Sequence, residues 1–176
     1  MNKISKTGGN LKTRINRKSI FNNNNIKLIV YDFDGVMTDN RALIFNSGDE
    51  AVFINRSDGM AVRMLAESGF TQIILTSETN KIAEYRAQKL GISAVSGVKN
   101  KKNALIEIAL ENQCSLKDIL YIGNDINDLE AMQAVGHPMC PADAHQTIKK
   151  ISEYIFSANG GCGVIRELYD LTRKLQ

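Results

Sequence analysis

The chain has 176 residues, 43% of them hydrophobic, which suffices for one ordinary core and leaves too little for two full domains. Lys and Arg number 22 against 19 Asp and Glu, and six of the basic residues lie in the first 25 positions, which hold no acid. With those six set aside, 16 basic residues face 19 acidic ones, a balance that argues against nucleic-acid binding by the remainder.

The opening stretch, MNKISKTGGNLKTRINRKSIFNNNN, has no regular apolar period and reads as a basic solvated tail over 1–25, ahead of one domain over 26–176. Cys114, Cys140 and Cys162 are odd in number and form no C-x-x-C pair, so neither a disulfide framework nor a zinc site is indicated. No apolar run reaches signal-peptide or membrane-spanning length. A cytoplasmic protein without membrane contact is the expectation.

From residue 26 onward, short β-rich runs alternate with segments of helical period, the pattern of a parallel sheet covered by helices. Strands are predicted at IKLIVYD (26–32), TQIIL (71–75), SAVSG (93–97), DILYIG (118–123) and near Pro138 and Tyr154. Between the first two, RALIFNSGDEAVFINR (41–56) reads as a β-hairpin turning at Ser47, Gly48 and Asp49. A lone hairpin is marginally stable, so this one must lie on the body or on another subunit. Helices are predicted over 57–69, 79–91, 101–113 and 127–136. The first would be capped by Ser57 or Asp58 and would carry Met60, Met64 and Leu65 on its core face.

The strongest chemical signal is VYDFDGVMTD (30–39). Asp32 and Asp34 follow an apolar strand, so both leave the carboxyl edge of the sheet, where open α/β folds place their ligands. One carboxylate can attack phosphorus; the second, two residues on, can protonate the leaving alcohol and then activate water. Two such acids beside a phosphate call for a cation, for which magnesium is suited. Gly35 allows a close backbone approach.

DxDGVxTD after a hydrophobic strand resembles motif I of the haloacid dehalogenase superfamily of phosphohydrolases. That resemblance implies a Rossmann-like α/β fold, a parallel sheet flanked by helices with a hairpin insertion after the first strand and no cap domain. It assigns Asp32 as nucleophile and Asp34 as acid and base. Thr76, ending IILTSE, resembles the motif II phosphate donor. Lys101 in SGVKNKKNA aligns best with the motif III lysine, with Lys99 and Lys102 as close competitors. YIGNDINDLEAM (121–132) resembles motif IV, with Asp125 and Asp128 spaced i, i+3 on one face of the following helix. The implied magnesium ligands are Asp32, Asp34, Asn124, Asp125 and Asp128. Asn124 stands where many active relatives have aspartate; its carbonyl is still an oxygen ligand, though one that implies weaker binding.

The hairpin, NRSDGMAVRML, PADAH (141–145) and NGGCGVIREL (159–168) resemble the capless branch. This branch contains 3-deoxy-D-manno-octulosonate 8-phosphate phosphatases, 2-keto-3-deoxynononate 9-phosphate phosphatases and the carboxyl-terminal modules of acylneuraminate cytidylyltransferases. It implies a sugar-acid phosphate as substrate and a homotetramer in which a neighbouring subunit closes each site. Octulosonate phosphatases usually follow the motif II threonine with Gly-Arg. Here Ser77 and Glu78 stand instead, and Glu78 with Lys89 resembles the nononate branch, the competing reading being two solvated helix charges. Arg56, Arg63 and Arg86 are candidates for the substrate carboxylate, and Arg166 for a neighbouring subunit. Two other readings stand beside the phosphatase. One is a catalytically silent oligomerisation module, which Asn124 would favour. The other is a phospho-acceptor signalling domain, against which Asp34 and the hairpin argue.

Overall fold

The computed structural model describes residues 26–173, so the basic tail read over 1–25 lies outside them. Six parallel strands form one sheet in the order β5-β4-β1-β6-β7-β8. They are β1 (Leu28–Tyr31), β4 (Thr71–Leu75), β5 (Ser93–Val95), β6 (Ile119–Ile122), β7 (His137–Cys140) and β8 (Tyr154–Ile155). The helices are α1 (Arg56–Glu67), α2 (Ile82–Leu90), α3 (Lys101–Glu111), α4 (Leu129–Ala134), α5 (Gln146–Ile151) and α6 (Val164–Arg173). No helix of the described residues is long and apolar enough to cross a membrane.

All four residues of β1 and all four of β6 are buried, as strands covered on both faces require. Alternate residues serve opposite faces. Ile29, Tyr31, Leu120 and Ile122 pack with Val62 and Leu65 of α1 and Ile165 and Leu168 of α6. Leu28, Val30, Ile119 and Tyr121 pack with Leu105 of α3, Met132 of α4 and Ile148 of α5. Tyr31 lies opposite Ile74 on one side and Ile122 on the other. The ends of β4, β1 and β6 therefore open at one edge, where the strand order reverses direction, the position at which such sheets hold ligands.

The two antiparallel strands β2 (Thr38–Ile44) and β3 (Glu50–Ile54) make a separate sheet. The Phe45 amide donates to the Asp49 carbonyl at 2.9 Å to close its turn. The hairpin starts three residues earlier than its apolar pattern predicts, because Thr38 is buried and pairs with Ile54. Leu43, Ile44 and Phe45 near its turn and Phe53 near its base are each at least half exposed.

Helix α1 departs from expectation in two respects. Asn55, neither Ser57 nor Asp58, is its cap, accepting from the Ser57 amide at 2.8 Å. Its buried stripe is Asp58, Ala61, Val62 and Leu65, so Met60 faces outward at 48% exposure. Asp58 occupies a core-facing position because it accepts the Arg166 amide at 2.9 Å, at the start of α6.

Candidate active site

Asp32 is the first residue beyond β1 and only 4% exposed. Its Oδ1 accepts the Phe33 amide at 2.7 Å and lies 2.8 Å from Lys101 Nζ; the other oxygen takes neither bond. Lys101 opens α3, whose cap Asn100 accepts from the Asn103 amide at 2.9 Å. The same ammonium donates to Asp128 Oδ1 at 2.7 Å. Burial pushes the Asp32 carboxyl up to about 8, and the Asp128 charge adds to that against the pull of Lys101. Burial works against the Lys101 charge as well, yet Asp32 and Asp128 together hold its ammonium above the usual lysine range.

Asp128 is fully buried. Besides Lys101, its Oδ1 accepts the Tyr121 hydroxyl at 2.8 Å, while Oδ2 accepts the amides of Asn124 and Asp125 at 2.9 and 3.3 Å. The pairing of Asp125 and Asp128 on one helical face does not occur. Asp125 has extended backbone, φ −134 and ψ 177, and caps a single 3-10 turn over Ile126–Asp128, so the i, i+3 geometry of an α-helix does not apply. Asp125 faces the cavity, and Asp128 turns inward with its acceptors filled by protein donors. Asp128, expected among the metal ligands, here holds the lysine and the loop and does not line the cavity.

Asp34 sits one turn further along. The Thr38 hydroxyl donates to Asp34 Oδ1 at 3.1 Å, and the Gly35 and Asn40 amides each donate to Thr38 Oγ1 at 3.2 Å. Burial raises the Asp34 carboxyl, opposed by the Thr38 hydrogen bond and assisted by the charge of Glu78. Gly35 has φ +79, and a Cβ there would lie 1.9 Å from Asn124 Nδ2. Only glycine lets the Asn124 amide lie flat against this loop.

A cavity of about 380 Å³ is lined by Asp32, Asp34, Thr76, Glu78, Asn124 and Asp125 together with Asn40, Ser77, Ile126 and Asn127. The buried Thr76 hydroxyl accepts the Glu78 amide at 3.1 Å, which leaves its proton to donate into the cavity. All three lysines line an adjoining cavity with Ser77 and Asn127, and Lys101 is the one whose ammonium pairs with Asp32. Arg56, Arg86 and Lys89 do not line the main cavity. Arg86 instead donates to the Asn55 carbonyl at 3.4 Å and lies against Gly59 of α1, where a Cβ would meet it at 2.7 Å. Lys89 is held away by its place in the last turn of α2, and Arg56 by the exposed start of α1. Arg166 lines a different cavity with Cys162 and Glu167. Ile126 and Asn127 of the lining were not anticipated, nor were Tyr121 and Asn40. Tyr121 is hidden in an apolar strand, and Asn40 holds φ +63 at the cavity mouth.

The donor set fits a hard cation. No three His, Cys, Asp or Glu side chains among the described residues converge closely enough to hold a metal by themselves, so fewer than three acids and a neutral oxygen are what the site can offer. Asn124 Oδ1 is buried and has no hydrogen-bond partner among the described residues. An orphaned carbonyl oxygen is costly unless something electropositive meets it, and magnesium takes few carboxylates and fills its shell with water and phosphate. Asp32, Asp34 and Asp125 line the same cavity and offer the carboxylates from which such a shell would be completed.

Comparison with known proteins agrees with this geometry. The sequence profile of the haloacid dehalogenase-like hydrolases matches residues 67–168. The chain is 36% identical over 148 residues to the 3-deoxy-D-manno-octulosonate 8-phosphate phosphatase KdsC of Yersinia pestis, covering 84% of this chain and 79% of that protein. Against KdsC of Escherichia coli K12 it is 31% identical over 172 residues, covering 96% and 92%. Among solved structures, the Moraxella catarrhalis 3-deoxy-D-manno-octulosonate 8-phosphate phosphatase, in complex with magnesium, phosphate and KDO, superposes with a TM-score of 0.82. Its identity is 29%, over 86% of this chain and 88% of that one. With a buried Asp–Lys–Asp array at the edge of a parallel sheet and this profile over more than half its length, the chain belongs to the haloacid dehalogenase-like hydrolases.

Proposed function

We propose that this phosphatase is a magnesium-dependent phosphomonoesterase that removes the terminal phosphate of 3-deoxy-D-manno-octulosonate 8-phosphate through an aspartyl-phosphate on Asp32. The observation that carries the chemistry is Lys101, clamped between Asp32 at 2.8 Å and Asp128 at 2.7 Å beneath a cavity that Asp34 and Thr76 also line. The substrate follows from the KdsC relatives, which are named for 3-deoxy-D-manno-octulosonate 8-phosphate, the eight-carbon ester.

In this reading Asp32 attacks phosphorus with the oxygen that neither Phe33 nor Lys101 engages. Lys101 and the Thr76 hydroxyl hold phosphoryl oxygens, and preorganised donors of this kind stabilise the charge that builds in transfer. Asp34, its pKa raised by burial, carries a proton to the departing sugar alcohol and then takes one from the water that cleaves the phospho-Asp32 ester. Asn124 and carboxylates from among Asp32, Asp34 and Asp125 would hold magnesium, which when bound would offset the repulsion between the carboxylates and the phosphate. Glu78 faces the sugar at the cavity rim. Arg56, Arg86 and Lys89 have no place in this protomer's cavity.

The assembly proposed is a homotetramer built on the exposed apolar end of the β2–β3 hairpin, in the cytoplasm, with a neighbouring subunit covering the cavity. Four large apolar side chains on one two-stranded ribbon support it. Phosphate release tests the function. The wild type should hydrolyse 3-deoxy-D-manno-octulosonate 8-phosphate only with magnesium, faster than 2-keto-3-deoxynononate 9-phosphate, and Asp32→Asn should abolish turnover. Preference for the nine-carbon ester would overturn the substrate, and turnover surviving in Asp32→Asn would overturn the mechanism.

A further inference from the structure

Two loops carry the candidate ligands: residues 33–40 hold Asp34, and residues 123–128 hold Asn124 and Asp125. A third segment reaches both. In PADAH (141–145), the His145 amide donates to the Asn124 carbonyl at 2.8 Å. Two residues earlier, Asp143 Oδ1 accepts the Gly160 amide at 2.9 Å. Gly160 and Gly161 lie flush on the Asp34 loop. The Gly161 amide donates to the Val36 carbonyl at 2.9 Å. A Cβ on Gly160 would stand 2.2 Å from the Gly35 carbonyl oxygen, and one on Gly161 2.5 Å from the Asp39 nitrogen. Gly161 also takes φ +64, so its backbone and its surroundings both exclude a side chain.

The glycine turn is anchored on its other flank. Glu167 accepts the Ser157 and Ala158 amides at 2.9 and 3.0 Å and the Ser157 hydroxyl at 2.7 Å. Burial would raise the Glu167 carboxyl, but these bonds hold it below the usual range. The turn is therefore a wedge between α6 and the Asp34 loop, tied to the Asn124 side of the cleft at two points: the Ala142 amide donates to the Ala158 carbonyl at 2.9 Å at its flank, and Asp143 holds the Gly160 amide at its tip.

We propose that Asp143 is a positioning residue. By holding the Gly160–Gly161 wedge against the 35–39 loop while His145 holds Asn124, it sets the gap between Asp34 and Asn124 across which cation and phosphate bind. Asp143 does not line the catalytic cavity, so it acts through the wedge. This inference rests on the metal-dependent reading above but not on the identity of the sugar.

The test measures magnesium binding by calorimetry and turnover of p-nitrophenyl phosphate in the full chain. Asp143→Ala should weaken magnesium binding and lower kcat, each by about tenfold, with KM at saturating magnesium within about threefold; misplacement of reacting groups of this kind costs up to a hundredfold. Asp143→Asn keeps a carbonyl oxygen for the Gly160 amide and should stay close to wild type in both. An Asp143→Ala protein that matches wild type in both readouts overturns the proposal, as does an Asp143→Asn protein as impaired as Asp143→Ala. Should Asp143→Ala fail to fold, Asp143→Glu, which pushes the carboxylate out by one methylene, replaces it, with low values expected and values equal to Asp143→Asn overturning. A wild type that binds no magnesium overturns the metal-dependent reading and this inference with it, whereas a magnesium-binding wild type with an indifferent Asp143 overturns this inference alone.

Discussion

The floor of the cleft and the hairpin beside it are built on opposite terms. On the floor, Asp128 has both oxygens engaged by four donors, and Lys101 is buried between two carboxylates. In the hairpin, Phe53 is 72% and Ile44 68% exposed, and among the described residues the β2–β3 pair has no third strand. The floor satisfies itself within the described residues; the hairpin is left with apolar surface that the described residues do not cover. Chemistry that depends on the floor is thus a property of the protomer, and whatever depends on the hairpin is a property of its surroundings.

Breaking the floor should have the largest effect. Asp128→Ala strands the Tyr121 hydroxyl and two amides and leaves Lys101 with one partner. Loss of one member of a buried charge pair costs about 3 kcal/mol or more, which lowers the unfolding midpoint of a chain this size by roughly 6–12 °C. Calorimetry would show it, and a midpoint within about 2 °C of wild type would mean that the array is not structural.

A smaller effect should come from pH. In metal-free protein Asp32 titrates near 8 when folded, against an ordinary value near 4 when unfolded. Between these values the folded chain holds a proton that the unfolded chain has released. The contribution to stability is therefore complete below the unfolded value and fades as pH rises through about 8. Urea midpoints in chelator should fall from pH 5.5 to 8.5, and Asp32→Asn should flatten the slope. An unchanged slope in the variant would assign the dependence to other groups.

The hairpin should respond least in the protomer's own packing and most in association. Phe53→Asp should change the body's folding by within about 0.5 kcal/mol, as exposed positions do. It should nevertheless shift sedimentation to a smaller species. Unchanged sedimentation would remove the hairpin from the assembly.

The strands and the first acidic pair were legible because buried parallel strands are nearly continuous apolar runs, and LIVY and ILYI are such runs. Lys101 was separable from Lys99 and Lys102 only by the family motif, since local sequence makes all three equivalent. Two helices went undrawn. Helix α5 is six residues long, too short for a period to register, but α6 carries Val164, Ile165, Leu168 and Tyr169 at helical spacing and could have been read. The role of Asp128 was not readable, because its inward turn depends on a cap and a 3-10 turn, and pattern rules for the α-helix mislead there. The place of Arg86 was unreadable for a related reason: attraction to a substrate carboxylate looks the same in sequence as packing beside Asp58.

Asn124 has a consequence for the order in which partners arrive. A neutral ligand leaves the cleft, already bordered by Asp32, Asp34, Asp125 and Glu78, one negative charge lighter than an all-carboxylate site. On the reading proposed above, the cation is then held less firmly alone, and an anionic phosphate meets less repulsion on entry. The two become mutually dependent guests, and by reciprocity each raises the affinity of the other by the same factor.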